Sequence, residues 1–363
     1  MKSQSIAILG AGLLGRLLAL ELAKLGHQIT VFERQAPQVK ESAAYVAASM
    51  LAPLAESVAT EANIVEMGYY SLNRWASIIE TLQKEVYFQR QGSLLVWHHQ
   101  DQSTAKHFSS QLQKMGLKLS HLPKPQYLNQ QQLSALEPHL SKQFLEGIYL
   151  PEEGQIDNRE LLDALLFETE ELGVVYHWQT FIDLKTFAID DYDEVIDCRG
   201  LGSKPDYAEL RGVRGEVLRV YAPEVNLSRP TRLIHPKYPL YIAPKRDHVY
   251  VIGATEVESE DDSPISVRST LELLSAAYTV HSGFAEARII EANAQCRPSF
   301  KNNLPKIWRS HPHILHINGL YRHGFLIAPA IVDTVLEMLT NNSQSLAQQF
   351  EIPLLEMSHE NIC

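Results

Sequence analysis

The sequence predicts a mixed fold of class α/β plus α+β, in which a parallel βαβ layer is joined to a second, mainly antiparallel sheet. Three observations point there. Residues 5–33 run strand, glycine turn, helix, strand. Strand patterns at 215–221, 240–243 and 248–253 follow one another with no long helix between them, as antiparallel strands do. A strand, turn and helix recur at 314–339, so both ends of the chain contribute to the first layer.

The opening unit is the most informative element. Ser5-Ile-Ala-Ile-Leu9 is β-prone and runs directly into Gly10-Ala-Gly12-Leu-Leu-Gly15; Leu13 to Leu25 carries apolar residues at helical spacing, Gly26 is suited to end that helix, and Gln28 to Phe32 reads as a strand followed by Glu33. In such a Rossmann-like unit Gly10 permits the tight turn, Gly12 lets backbone approach a pyrophosphate and Gly15 allows helix to pack on strand. The helix N-terminus offers free N–H groups and a positive dipole end to phosphates. Glu33, about twenty residues on, is positioned to accept hydrogen bonds from ribose hydroxyls and to repel a 2′-phosphate, which argues against NADP. The motif alone does not separate FAD from NAD.

Residues 42–53 are small and apolar, suited either to a loop that lets backbone approach a flat ring or to a buried helix start. Helical periodicity follows over 62–84, then a strand over 89–97 and a Gln-rich surface helix within 98–124. Gly154 to Leu166 combines a turn, a cap at Asp157 or Asn158 and an amphipathic helix that ends near Gly173, with a short strand at 174–177. Glu194 to Cys198 is a buried-type strand entering a second glycine turn, Gly200-Leu-Gly202. At the far end a strand at 314–318 and a turn at 319–324 precede a helix over 329–339. The expected division is a cofactor domain of residues 1–80, 145–205 and 298–363, and a substrate domain of residues 81–144 and 206–297.

Composition bounds the function. The chain has 363 residues and a net charge of -11, without a Lys/Arg block, so nucleic acid and anionic membrane are not the expected partners. Cys198, Cys296 and Cys363 are widely spaced with no CxxC, which suggests neither a disulfide framework nor a metal site and fits a reducing cytoplasm. The mostly apolar stretch that follows Lys2 and ends near Leu25 is broken by Gly10, Gly12, Arg16, Glu21 and Lys24 and is not expected to be a signal peptide. No other window carries about eighteen uncharged apolar residues, so no membrane span is expected.

Several segments together resemble the D-amino-acid oxidase superfamily of flavoproteins, and most closely its glycine oxidases of thiamine biosynthesis. They are Gly10 to Gly15 with Glu33, Ala48-Ser-Met-Leu-Ala-Pro53, Gly154-Gln-Ile-Asp157, Tyr241-Ile-Ala-Pro244, Val251-Ile-Gly-Ala-Thr255, Arg297-Pro298 and Tyr321-Arg-His-Gly-Phe-Leu-Ile-Ala-Pro329. The resemblance implies FAD as cofactor, and oxidation of the Cα–N bond of a small amino acid or secondary amine to an imine by hydride transfer to flavin N5. Oxygen would then take the electrons and give peroxide.

By the same resemblance Arg297 pairs with the substrate carboxylate, Tyr241 supports it, and Arg322 stands beside the flavin at the pocket mouth. Gly10, Gly12, Leu14, Gly15, Glu33, Arg34, Ala48, Ser49, Met50, Leu51, Gly200, Gly324, Phe325, Leu326 and Ile327 are the expected cofactor-binding residues. Read without the family, Arg297 is a surface ion pair and Tyr241 ordinary sheet packing; Cys296 and His323 are packing or surface residues. The chain departs from the glycine oxidases at Glu256, where they have methionine, at Pro239 for histidine, at Ser49 for glycine and at His323 for asparagine. An acid at Glu256 facing the pocket would change the preferred amine. An FAD-dependent dehydrogenase that reduces a quinone or protein, and a flavin-binding accessory protein without turnover, are the rival readings; a homo-oligomer is compatible with either.

Overall fold

The structure, a computed structural model, describes residues 3–236, 240–341 and 343–355. Pro239 and Cys363, singled out above, lie outside the described residues. The opening unit forms as its pattern requires: β1 (Ser5–Leu9), α1 (Leu13–Lys24) and β2 (Gln28–Phe32), with β1 and β2 parallel and Ile6 opposite Ile29. Gly26, at φ +86, takes the left-handed conformation that closes α1. The small apolar run 42–53 holds a loop at 47–49 between short elements, not a buried helix start. It gives a turn of helix, α2 (Ala43–Val46), capped by the Ser42 hydroxyl, then β3 (Met50–Leu51) and a second turn, α3 (Pro53–Glu56), ahead of α4 (Ala62–Glu80).

The single strand expected over 89–97 is two, β4 (Phe88–Gln89) and β5 (Ser93–Val96), in different sheets. Gly92 breaks it at φ +75, and a Cβ there would fall 2.2 Å from the Tyr149 ring. After α5 (Gln102–Lys118) come β6 (Gln126–Asn129), α6 (Gln130–Leu136) and β7 (Glu146–Leu150). The turn expected at Gly154 is a strand, β8 (Gly154–Ile156), so close to β4 that a Cβ on Gly154 would meet the Gln89 carbonyl at 2.0 Å. Asp157 then caps α7 (Asn158–Glu171), accepting from the amides of Arg159 and Glu160.

The chain continues through β9 (Val175–His177), β10 (Glu194–Asp197), β11 (Arg211–Tyr221), β12 (Thr231–Leu233), β13 (Leu240–Pro244), β14 (Val249–Gly253), α8 (Val267–Val280), β15 (Arg288–Ser299), β16 (Lys306–His311), β17 (Ile314–Asn318), α9 (Gly324–Asn341), α10 (Ser345–Gln349) and β18 (Leu354–Leu355). A seven-stranded sheet has the order β18-β16-β17-β10-β1-β2-β9, parallel except where β16 meets β17. An eight-stranded sheet, β15-β11-β14-β13-β12-β5-β7-β6, is antiparallel except where β12 meets β5. Strand β7 thus pairs in the second sheet, although the expected division at residue 145 assigns it to the cofactor domain; its partner β5 holds it there. A third, small sheet has the order β3-β8-β4.

Helix α9 begins five residues before the proline at which sequence reading started it. Pro329 has no N–H to give the Phe325 carbonyl, which would strand a buried acceptor. The Trp75 indole of α4 donates to that carbonyl at 2.7 Å, and Ser71 Oγ accepts the Ala330 amide at 3.2 Å. The stretch Tyr321–Asn341 is long and apolar enough to cross a membrane, but 61% of its most apolar window is buried within the fold, where it packs on α1 and α4. Two ion pairs join α7 to the second sheet. Arg159 reaches both oxygens of Glu291 on β15 at 2.6 Å, and Arg219 on β11 reaches Asp157 at 3.0 Å.

Candidate active site

At the carboxyl ends of β1, β2 and β10 a cavity of about 830 Å³ runs between the two large sheets. One end is formed by Glu33, Arg34 and the exposed ring of Phe181; the middle by Gly10, Gly12, Leu14 and Gly200; the other end by Ala48 to Met50, Tyr241, Arg297, Arg322 and Gly324 to Leu326. Of the residues expected at the cofactor, Gly15, Leu51 and Ile327 do not line it. Leu51 is 0% exposed because it points to the opposite face of β3 from Met50, and Ile327 is 0% exposed because the helical period turns it into the core. Gly15 lies under the turn, where a Cβ would approach the Gly10 carbonyl to 1.8 Å.

The middle of the cavity fits an extended dinucleotide. Gly10 is at φ +101 and packs on the backbone of Cys198 and Arg199, which turns the chain under α1. An ideal Cβ on Gly12 would meet nothing within 4 Å, and no side chain caps α1, so the first amides of the helix face open space suited to a pyrophosphate. Glu33 is buried and already tied to this turn, accepting from the Ala11 amide at 2.8 Å and the Gln35 amide at 2.9 Å. It secures the turn as well as presenting an acid at the end of β2.

At the other end, Ser49 is at φ +52, a conformation in which glycine is at ease and serine is not. Its hydroxyl donates to the Ile156 carbonyl at 2.5 Å, which holds it there. Lys245, absent from the sequence-derived site, sits beneath this loop and donates to the carbonyls of Ala48 at 2.9 Å and Ile156 at 2.6 Å. Burial depresses its amine to about 7, against the opposing pull of Asp157.

Arg297 on β15 and Tyr241 on β13, with β11 and β14 between them, each project over a glycine of the strand alongside. A Cβ at Gly215 would fall 2.2 Å from the Arg297 guanidinium, and one at Gly253 would fall 2.5 Å from the Tyr241 hydroxyl. Among the described residues Arg297 donates only to the carbonyls of Arg214 at 3.3 Å and Thr255 at 3.2 Å, and no carboxylate pairs with it. Burial raises the Tyr241 phenol, opposed by the charges of Arg297 and Arg232, so it stays protonated and able to donate.

Arg322 is held differently. Its Nε lies 2.9 Å from Glu56 and its Nη1 2.7 Å from Glu256, so Glu256 does face the cavity, with its side chain 41% exposed. Glu56 also takes Arg232 at 2.6 Å. Burial would raise the Glu56 carboxyl, but Arg322, Arg232 and His323 outweigh it and hold it well below the usual range. His323 is buried, not superficial, with its imidazole 3.8 Å from Glu56; burial lowers it to about 4, despite the pull of that acid. Glu56 and Arg232 escaped sequence reading because nothing local ties an acid after Ala-Pro to an arginine so far along the chain. Among the described residues no group of His, Cys, Asp or Glu is arranged to hold a metal ion.

The profile of a family described as "DAO: FAD dependent oxidoreductase" matches residues 5–338. A protein named as a thiamine biosynthesis oxidoreductase, ThiO, of Rhizobium etli is 36% identical over 346 residues, 93% of this chain and 98% of its own length. A glycine oxidase of Geobacillus kaustophilus is 24% identical over 89% of each chain. The crystal structure of glycine oxidase from Geobacillus kaustophilus shares the fold, with a TM-score of 0.81 at 21% identity over 94% of this chain and 95% of that one.

Proposed function

The chain belongs to the DAO family of FAD-dependent oxidoreductases, and from that premise we propose that it is a glycine-oxidase-like enzyme that oxidises the Cα–N bond of a small amino acid or secondary amine, with oxygen as acceptor. The observation that carries this reading is Arg297: a guanidinium free of any carboxylate among the described residues, lining the cavity beside a protonated tyrosine. Its planar fork suits a carboxylate, and Tyr241 adds a second donor. Anchored there, a substrate is fixed in orientation before reaction. Glu56 and Glu256, the nearby acids, are both engaged by guanidinium groups, so the chain contributes orientation and charge rather than a free carboxylate base. FAD, when bound, supplies the two-electron chemistry.

The likeness to the Rhizobium etli protein supports a setting in thiamine biosynthesis. Free thiols at Cys198 and Cys296 are compatible with a reducing cytoplasm. The test is anaerobic mixing of purified, FAD-loaded protein with glycine, sarcosine and small D-amino acids, followed by air. Bleaching of the flavin band and a matching yield of hydrogen peroxide are expected. Failure of every carboxylated amine to bleach it would overturn the reading, and bleaching relieved by a dye but not by oxygen would replace oxygen as acceptor.

A further inference from the structure

We propose that Glu256 is a specificity-determining residue: by occupying the Arg322 guanidinium it restricts the pocket to substrates with one carboxylate, seated on Arg297, and turns away those with two. This rests on the reading of Arg297 given above. Around Tyr241 the cavity wall carries three guanidinium groups, of Arg232, Arg297 and Arg322, and the carboxylates of Glu56 and Glu256; of the further acids in the wall, Glu260 and Asp262 on the side of Cys296, Glu260 is taken by Lys204 and the Gly212 amide. Glu56 joins Arg232 to Arg322, and Glu256 takes the outer face of Arg322. Among the described residues one of these guanidinium groups, that of Arg297, has no carboxylate partner. A monocarboxylate completes the set, whereas a second carboxylate adds an unmatched negative charge to a partly buried site, next to an acid already present.

The two acids are not equivalent. Glu56 is fixed, with its side chain 13% exposed between two arginines, while Glu256 is 41% exposed on the irregular run that follows β14. Glu256 is therefore the acid whose removal changes the charge of the pocket without opening its floor. Without it, Arg232 and Arg322 share a single carboxylate and Arg322 becomes a second vacant anion position. The two positions are near one another, since Arg297 Nη2 donates to the Thr255 carbonyl at 3.2 Å and Arg322 Nη1 to the carboxylate of the next residue, Glu256, at 2.7 Å.

The experiment uses two ethers that cannot form an imine. Methoxyacetate mimics N-methylglycine, and diglycolate mimics the corresponding amine with two carboxymethyl arms. Each is titrated into FAD-loaded protein and followed by the flavin absorbance shift, for the parent, Glu256→Gln and Glu256→Asp, at constant ionic strength. The glutamine variant is expected to bind diglycolate at least about tenfold tighter than the parent, with methoxyacetate within about threefold; the aspartate variant keeps the charge and should follow the parent. Equal changes for both ligands, no change for either, or tighter diglycolate binding in the aspartate variant as well would each overturn the proposal. Absence of any response to methoxyacetate in the parent would instead count against Arg297 as the carboxylate seat.

Discussion

Gly12 and Gly15 stand three residues apart in one turn and answer to different constraints. A methyl group at Gly12 meets only open cavity, so Gly12→Ala is expected to leave the apoprotein within about 1 kcal/mol of its stability while sharply reducing bound FAD. At Gly15 the same methyl runs into the Gly10 carbonyl, so Gly15→Ala should lower apoprotein stability as well, by about 2 kcal/mol or more. Denaturant melts of the apoproteins, set beside flavin content after purification, separate the two. For Arg297→Ala, loss of a desolvated charge partner predicts KM for an amino acid raised by on the order of 100-fold with FAD still bound; unchanged kinetics would remove Arg297 from substrate binding. His323 carries a pH signature. Its folded value of about 4 lies below the unfolded 6.5, so the unfolded chain binds the extra proton between those limits and stability falls on acidification. From pH 7 to 5 the parent should lose about 2 kcal/mol that His323→Asn retains. Residues with a stereochemical reason for their type, such as Gly10 and Gly12, were legible in the sequence. His323 and Lys245 were not, because their properties come from burial by segments distant in the chain.

Helix α9 shows how one element depends on another to keep its geometry near the cavity. Pro329 opens its backbone ladder, and α4 closes the gap with the Trp75 indole and Ser71 hydroxyl, while Gly68 lets the two helices approach: a Cβ there would lie 3.0 Å from Leu326, a residue of the cavity wall. Trp75→Phe leaves the Phe325 carbonyl buried without a donor and is expected to cost about 2 kcal/mol, against about 1 for Ser71→Ala. Both should appear in urea melts, and the ranking matters more than either value. The sequence made the βαβ unit, α7 with its Asp157 cap and the middle strands of the second sheet legible, since each carries its own periodicity and punctuation. It did not reveal that α9 begins before Pro329, because the compensating donor, the Trp75 indole, lies on α4. Nor did it resolve β4 from β5, where the decisive neighbour of Gly92 is the Tyr149 ring.

At the scale of the whole molecule, the cavity takes its walls from both large sheets and from both ends of the chain. A cofactor bound there stabilises the folded protein as one unit: at free FAD about 100-fold above Kd the gain is about 2.7 kcal/mol. Loss of tryptophan packing and release of flavin, followed on the same thermal ramp, should then coincide; a melt in which flavin leaves well before the fold is lost would show that the layers unfold separately. The Arg159 and Arg219 ion pairs, anchored at the start of α7, bear on how the molecule breathes. They brace β15 and β11 against the helix from two points, which resists a hinge between the layers. Substrate and product then have the rim of the cavity as their route, where Thr255 and Glu256 line it and the Glu256 side chain is 41% exposed. Entry at that rim needs no parting of the layers on whose floor a flavin would rest, so turnover should survive a cross-link that joins them.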